Sequence, residues 1–366
     1  MARMRRHPAD APRQPEVVLH IGSGKTGTSG IQGFLARRRE ALLRAGVLYP
    51  EAMGAARHLH LSQSVRPDEH LLRSLVWRRG SYADPSSYRQ QHREALDREV
   101  AAARPERILF SDEGLYSLGP EPLARLRTLL DAYAGARTVL VYLRPQDEHL
   151  VSRYQQSVKT GLTERLADFA EGDHAHLYDY EHRLAQWAAA MDPARIVVRR
   201  FQPAAFVGGS PLTDFLDATG LDLDPGPAAH RRQNDSLDAE SVELLRLLNL
   251  DAVEHSDERP GSIDNRALVD VLLQRPRGAV LTLPEATMER FAARWADGNA
   301  AVARRYLGTD TLFAPADRSS RTTTTEQRLS PDRADALLDG LAVPSERRAR
   351  VRAIAEREAG PPGGRR

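Results

Sequence analysis

The sequence predicts an α/β protein of three layers, a mostly parallel central sheet flanked by helices, followed by a largely helical C-terminal region. Apolar, β-branched runs at 17–21, 107–111, 138–143 and 195–200 alternate with helical patterns, as a parallel sheet covered on both faces requires. The first run stops at the glycine-rich segment Gly22-Ser23-Gly24-Lys25-Thr26-Gly27-Thr28, and apolar residues at helical spacing follow at once. After residue 203 the pattern turns helical, with amphipathic stretches at 236–250, 265–274 and 285–306.

In chain order, residues 1–15 read as a flexible N-terminus, basic but without the apolar core of a signal peptide. Residues 16–315 form the main domain. Its first helix runs from Thr28 to Arg44 on Ile31, Phe34, Leu35, Leu42 and Leu43, and Gly46 ends it. A variable insertion at 50–105 is rich in His, Arg, Ser and Tyr, and helical patterns return at 88–103, 121–134 and 146–159. Residues 316–330, with RSSRTTTTEQ, read as a linker, and 331–366 as a short helical tail with a disordered end.

Composition narrows the function. The 41% apolar content suffices for a real core. Fifty acidic residues offset 52 basic ones, so the net charge of +2 points to no nucleic-acid partner. The absence of cysteine excludes disulfides, thiolate metal sites and cysteine nucleophiles. No apolar run approaches the ~20 residues that span a bilayer. The expectation is a soluble, cytoplasmic protein.

The loop at 22–28 is built for an anion. Glycines at 22, 24 and 27 reach backbone angles that let successive N–H groups turn toward one phosphate, and the helix beginning near Thr28 adds its positive end. Lys25 supplies a full charge. The ATP-type loop G-x-x-x-x-G-K-[ST] would need glycine at 19, where Leu19 stands. Farther along, the strand 138–143 ends at Arg144, and Pro145 starts a helix that carries Ser152. In a doubly wound sheet that sets Arg144 at the carboxyl edge, where ligands bind. His174, His176 and His182 have no metal-ligand spacing, and Trp187 and Trp295 read as core.

Together these two segments resemble sulfotransferases that use 3′-phosphoadenosine 5′-phosphosulfate (PAPS). GSGKTGTSGIQGFL is similar to their 5′-phosphosulfate loop, and LRPQDEHLVSRY to their 3′-phosphate motif, with its arginine and serine eight apart. The bacterial branch, with its HIG-x-x-KTGT loop, is resembled also at Gly46-Val47-Leu48-Tyr49-Pro50, at RRQNDSLDAESVELLRLLN (231–249) and at NAAVARRYLGTDTLF (299–313). Coverage runs from about 17 to 313, and Ser29 stands where threonine is common.

The resemblance implies a P-loop-like fold and transfer of a sulfuryl group from PAPS to a hydroxyl or amine of a small molecule or carbohydrate, leaving 3′-phosphoadenosine 5′-phosphate (PAP). Lys25 would neutralise the leaving phosphate. Gly24, Thr26, Gly27, Thr28 and Ser29 would cradle the 5′-phosphate, Arg144 and Ser152 the 3′-phosphate, with Arg231 or Arg232 adding to it. The mechanism calls for no metal. For the proton acceptor four residues stand open: Glu113 and Asp112 at the end of the strand in ERILFSDEGLY, and His60 and His58 in ARHLHLSQS. Asp112 also suits a helix cap or a salt bridge. Two rival readings remain, a P-loop kinase using a nucleoside triphosphate and Mg²⁺, and a catalytically silent nucleotide-binding protein of the same fold.

Overall fold

A computed structural model describes residues 14–226, 236–256, 258–259, 263–315 and 322–359. The chain divides into two compact units. The first comprises the described residues of Met1–Arg144, Ala175–Arg231 and Asp297–Phe313, the second those of Pro145–His174, Arg232–Ala296 and Ala314–Arg366.

The first unit holds a five-stranded sheet of β1 (Glu16–His20), β2 (Val47–Leu48), β3 (Arg107–Ser111), β4 (Ala136–Leu143) and β5 (Arg195–Arg200), in the order β2-β3-β1-β4-β5. Every pairing is parallel. Four of these strands coincide with the predicted runs. β2 escapes prediction because two residues show no period. β1 is the central strand, with Val18 in register with Leu109 on one side and Thr138 on the other. Its residues Val17, Val18, Leu19 and His20 are all buried, as a strand covered on both faces must be.

One core face packs Val18, Leu109 and Leu140 against Ile31, Phe34 and Leu35 of the helix α1 (Thr28–Arg37) and Phe215 of the helix Pro211–Thr219. Each such side chain contributes about 1.5–3 kcal/mol through burial. The helix expected over Thr28–Arg44 is two, because Arg38 breaks it at φ −109°, and the second runs Arg39–Arg44. Leu42 therefore reaches the core while Leu43 is exposed. The insertion at 50–105 is mainly helical, with Leu59–Val65, Asp68–Arg73, Leu75–Arg79 and Pro85–Ala103.

The second unit is largely helical, built from Gln146–Lys159, Ala239–His255, Pro331–Leu338 and Ser345–Ala359 among others. Arg246 is at its centre. It pairs with both carboxylate oxygens of Glu243 at 2.8 and 2.7 Å, with Glu358 at 2.8 Å and with the Thr163 carbonyl at 3.0 Å, and is almost fully buried. The stretch read as a linker is ordered where it is described. Thr323–Thr324 pairs with Val280–Leu281, and Gln327 donates to the Tyr154 hydroxyl at 2.6 Å and to Glu243 at 2.9 Å. A threonine run favours a strand once a partner edge is present. The tail read at 331–366 carries buried Leu337, Leu338, Val351 and Ile354, and both Arg347 and Arg350 bond Asp251. Among the described residues no helix is long and apolar enough to cross a membrane.

Removing one partner of a buried ion pair leaves the other charge uncompensated. Arg246→Met is therefore expected to destabilise the protein by about 3–5 kcal/mol, read as a lower urea midpoint. A midpoint equal to that of the wild type would show that the Glu243–Arg246–Glu358 cluster contributes nothing to stability.

Candidate functional site

The sheet order sets the candidate site. β1 ends in the glycine loop, and its two neighbours end beside that loop, β3 in Asp112-Glu113 and β4 in Arg144. Gly24, Lys25 and Gly27 all have positive φ (75°, 50° and 74°), and Gly27 caps α1 in the left-handed conformation without a side-chain cap. Such a run can turn successive backbone N–H groups toward one anion, and the first turn of α1 follows it directly. Gly22 permits a close approach, since a Cβ there would stand 2.6 Å from Thr28 Cγ2. The Thr26 hydroxyl is buried with no hydrogen-bond partner among the described residues.

Two strand ends clamp the loop. Arg144 donates from Nη1 to the Lys25 carbonyl at 3.2 Å, lies 5.7 Å from the Phe201 ring centre, and has its own carbonyl held by the Tyr180 hydroxyl at 2.6 Å. On the other side the Thr28 hydroxyl donates to Glu113 Oε1. Gln32, one turn along α1, donates to Glu113 Oε2 at 3.3 Å and to Ser111 Oγ at 3.2 Å. Arg57 completes the cluster, with Nε 3.0 Å from Glu113 Oε2 and 2.5 Å from Asp112 Oδ1.

The two adjacent carboxyls titrate in opposite directions. Asp112 is wholly buried, and burial pushes its carboxyl up despite Arg57 and the Gly114 N–H that it caps. Glu113 is 19% exposed. Burial pushes it up as well, but Arg57, Thr28 and Gln32 outweigh that and hold it below the usual carboxylate range. Glu113 is thus an anion fixed beside the glycine loop.

The histidines stand elsewhere. His58 is fully buried against Tyr49 and Phe110, and its Nδ1 accepts the Ser111 N–H at 2.9 Å. That lone pair is spent, and burial lowers its pKa to about 3. The ring serves as a brace for the end of β3 and is not a base facing the loop. His60 stacks on His92 at 3.9 Å between centroids, bonds the Tyr88 hydroxyl at 2.9 Å and is lowered to about 4, first by burial and then by His92. Of the four proton-acceptor candidates, Glu113 alone bonds a residue of the loop's helix. Lys25 is half-buried, and Ser29 is exposed in the first turn of α1. Ser152 is half-buried on the helix Gln146–Lys159 of the second unit, and Arg231 and Arg232 lie outside the described residues.

Three side chains of the cluster were not expected from the sequence. Gln32 was detectable, being four residues past Thr28 and so on the same face of the helix. His20, buried beneath the loop and bonded to Ser111 Oγ at 2.8 Å, sits in an otherwise apolar run. Arg57 lies in the aperiodic insertion, where nothing in the spacing marks it.

Comparison with known proteins gives a relative of unassigned function. The chain is 28% identical over 210 residues to an uncharacterized protein of Archaeoglobus fulgidus, a match spanning 56% of this chain and 55% of that protein. The chain thus covers just over half the length of the relative. No family model matches the chain, and no solved structure matches it.

The buried histidines make the site acid-sensitive. An unfolded histidine binds a proton near pH 6.5, whereas folded His58 and His20 resist until about 3 and about 4. Between those values the unfolded state holds more protons, so stability falls as pH is lowered from about 6.5. His58→Asn, whose amide oxygen can accept the Ser111 N–H, is expected to flatten that slope in chemical denaturation between pH 4 and 6.5. An unchanged slope would place the acid sensitivity elsewhere.

Proposed function

We propose that the chain is a PAPS-dependent sulfotransferase on a P-loop-like fold, acting on a hydroxyl or amine of a small molecule or carbohydrate. The observation that carries the reading is the double clamp: Arg144 and Glu113, from strands on either side of β1, both bond the glycine loop. An arginine at the carboxyl edge of β4 is suited to the 3′-phosphate that distinguishes this donor from ATP. The left-handed residues of the loop and the Thr26 hydroxyl, which has no hydrogen-bond partner among the described residues, suit the 5′-phosphate.

In the proposed reaction the acceptor oxygen or nitrogen forms a bond to sulfur while the bond from sulfur to the 5′-phosphate oxygen breaks. The electron pair of the breaking bond stays on the phosphate, where Lys25 and the N–H groups of the loop neutralise it. The acceptor's proton goes to Glu113, the candidate base that touches the loop's helix. Holding donor and acceptor in line supplies the rest of the rate. A second reading, a kinase using a nucleoside triphosphate and Mg²⁺, is favoured by the same hydroxyl–carboxylate pair, Thr28 and Glu113, which could hold a cation.

The test is transfer of ³⁵S from labelled PAPS to a panel of hydroxyl and amine acceptors. Lys25→Ala is expected to lower turnover on the order of 10²–10³-fold with an unchanged melting temperature. Arg144→Ala is expected to raise the donor KM by about 10- to 100-fold, the loss of one charged hydrogen bond. Near-normal turnover in Lys25→Ala, or an unaltered donor KM in Arg144→Ala, would remove the role assigned to that residue.

A further inference from the structure

The bond between Thr28 and Glu113 poses a conflict. Thr28 is the first residue of α1 and lies at the end of the loop, where a bound phosphate would claim its hydroxyl, yet that hydroxyl is given to a carboxylate. A carboxylate and a phosphate cannot both take the single proton of one hydroxyl. Glu113 has other holders, Gln32 at 3.3 Å and Arg57 at 3.0 Å, so it stays in place when Thr28 turns away.

Resting on the sulfotransferase reading, we propose that Thr28 is a switch shared by Glu113 and the donor: the 5′-phosphate takes the hydroxyl, and the carboxylate so released becomes the proton acceptor of the loaded site. The base is held inactive until the donor is bound. Two changes act together on loading. Glu113 loses a hydrogen bond that favours its charged form, and it gains a dianion as neighbour; both raise its affinity for a proton. The charged and titratable groups around it are Arg57 before the helix Leu59–Val65, Asp112 beside it on the chain, His20 at the end of β1 and Tyr49 after β2. Burial lowers His20 to about 4 and raises Tyr49, which leaves both neutral at pH 7. Arg57, shared with Asp112, keeps Glu113 ionised.

The experiment is calorimetric titration with PAP near pH 5.5 in buffers of different ionisation enthalpy, which reads protons taken up per ligand bound. Wild type is expected to take up a fraction of a proton more than Glu113→Gln, a comparison that cancels the phosphate's own ionisation near pH 6. Glu113→Gln is expected to bind PAP roughly fivefold or more tightly, since it removes a charge beside the phosphate and leaves only a neutral, weaker acceptor for Thr28. In Thr28→Val, which keeps shape and loses the hydroxyl, the extra proton uptake shrinks because Glu113 is already released in the empty protein. Equal uptake by wild type and Glu113→Gln, or weaker binding by Glu113→Gln, overturns the switch while leaving the donor site standing. Failure of the wild type to bind PAP at all overturns the sulfotransferase reading and the switch with it.

Discussion

The first unit depends on one backbone constraint: β1 must reverse into α1 through left-handed residues. Glycine adopts that conformation freely at 24 and 27, but Lys25 does so at φ 50°, where an L side chain is strained. Such a conformation persists only if the surroundings hold it. Here Arg144 bonds the Lys25 carbonyl, Ser23 bonds the Tyr142 carbonyl at 2.9 Å, and Glu113 holds the first residue of the helix beyond. The strand ends on both sides of β1 therefore hold the left-handed backbone of the loop in place.

The same economy explains the charges around the loop. A carboxylate against a nest of N–H groups is favourable, but a buried one without partners would be neutral. Arg57 keeps Glu113 charged and bonds Oδ1 of Asp112, which also accepts the Gly114 N–H. His20 and His58, one beneath the loop and one behind β3, stay neutral and act through shape and hydrogen bonds. Asp112 is pushed up, Glu113 held down and the two imidazoles left neutral because burial and pairing weigh differently at each.

Much of this was legible in the sequence, for identifiable reasons. The four longer strands show as apolar runs because a parallel sheet buries both faces, and the glycine loop shows because no other residue reaches its conformation so readily. Glu113 and Arg144 were visible as polar residues at the ends of such runs. What was hidden depended on tertiary contact. Arg57 matters only because the chain after β2 folds back to the end of β3, and His58 looks like a candidate base until its lone pair is seen bonded to the Ser111 N–H. The break at Arg38 carries no proline or glycine to announce it. Thr323–Thr324 becomes a strand only through its pairing with Val280–Leu281.

The measurement that tests the central claim most directly is calorimetric titration of the purified protein with PAP, beside ATP with Mg²⁺ at equal concentration. The account predicts tight binding of PAP that does not depend on metal, and weaker binding of ATP. Preference for ATP with Mg²⁺ would contradict the sulfotransferase reading in favour of a kinase, and binding of neither nucleotide would contradict both.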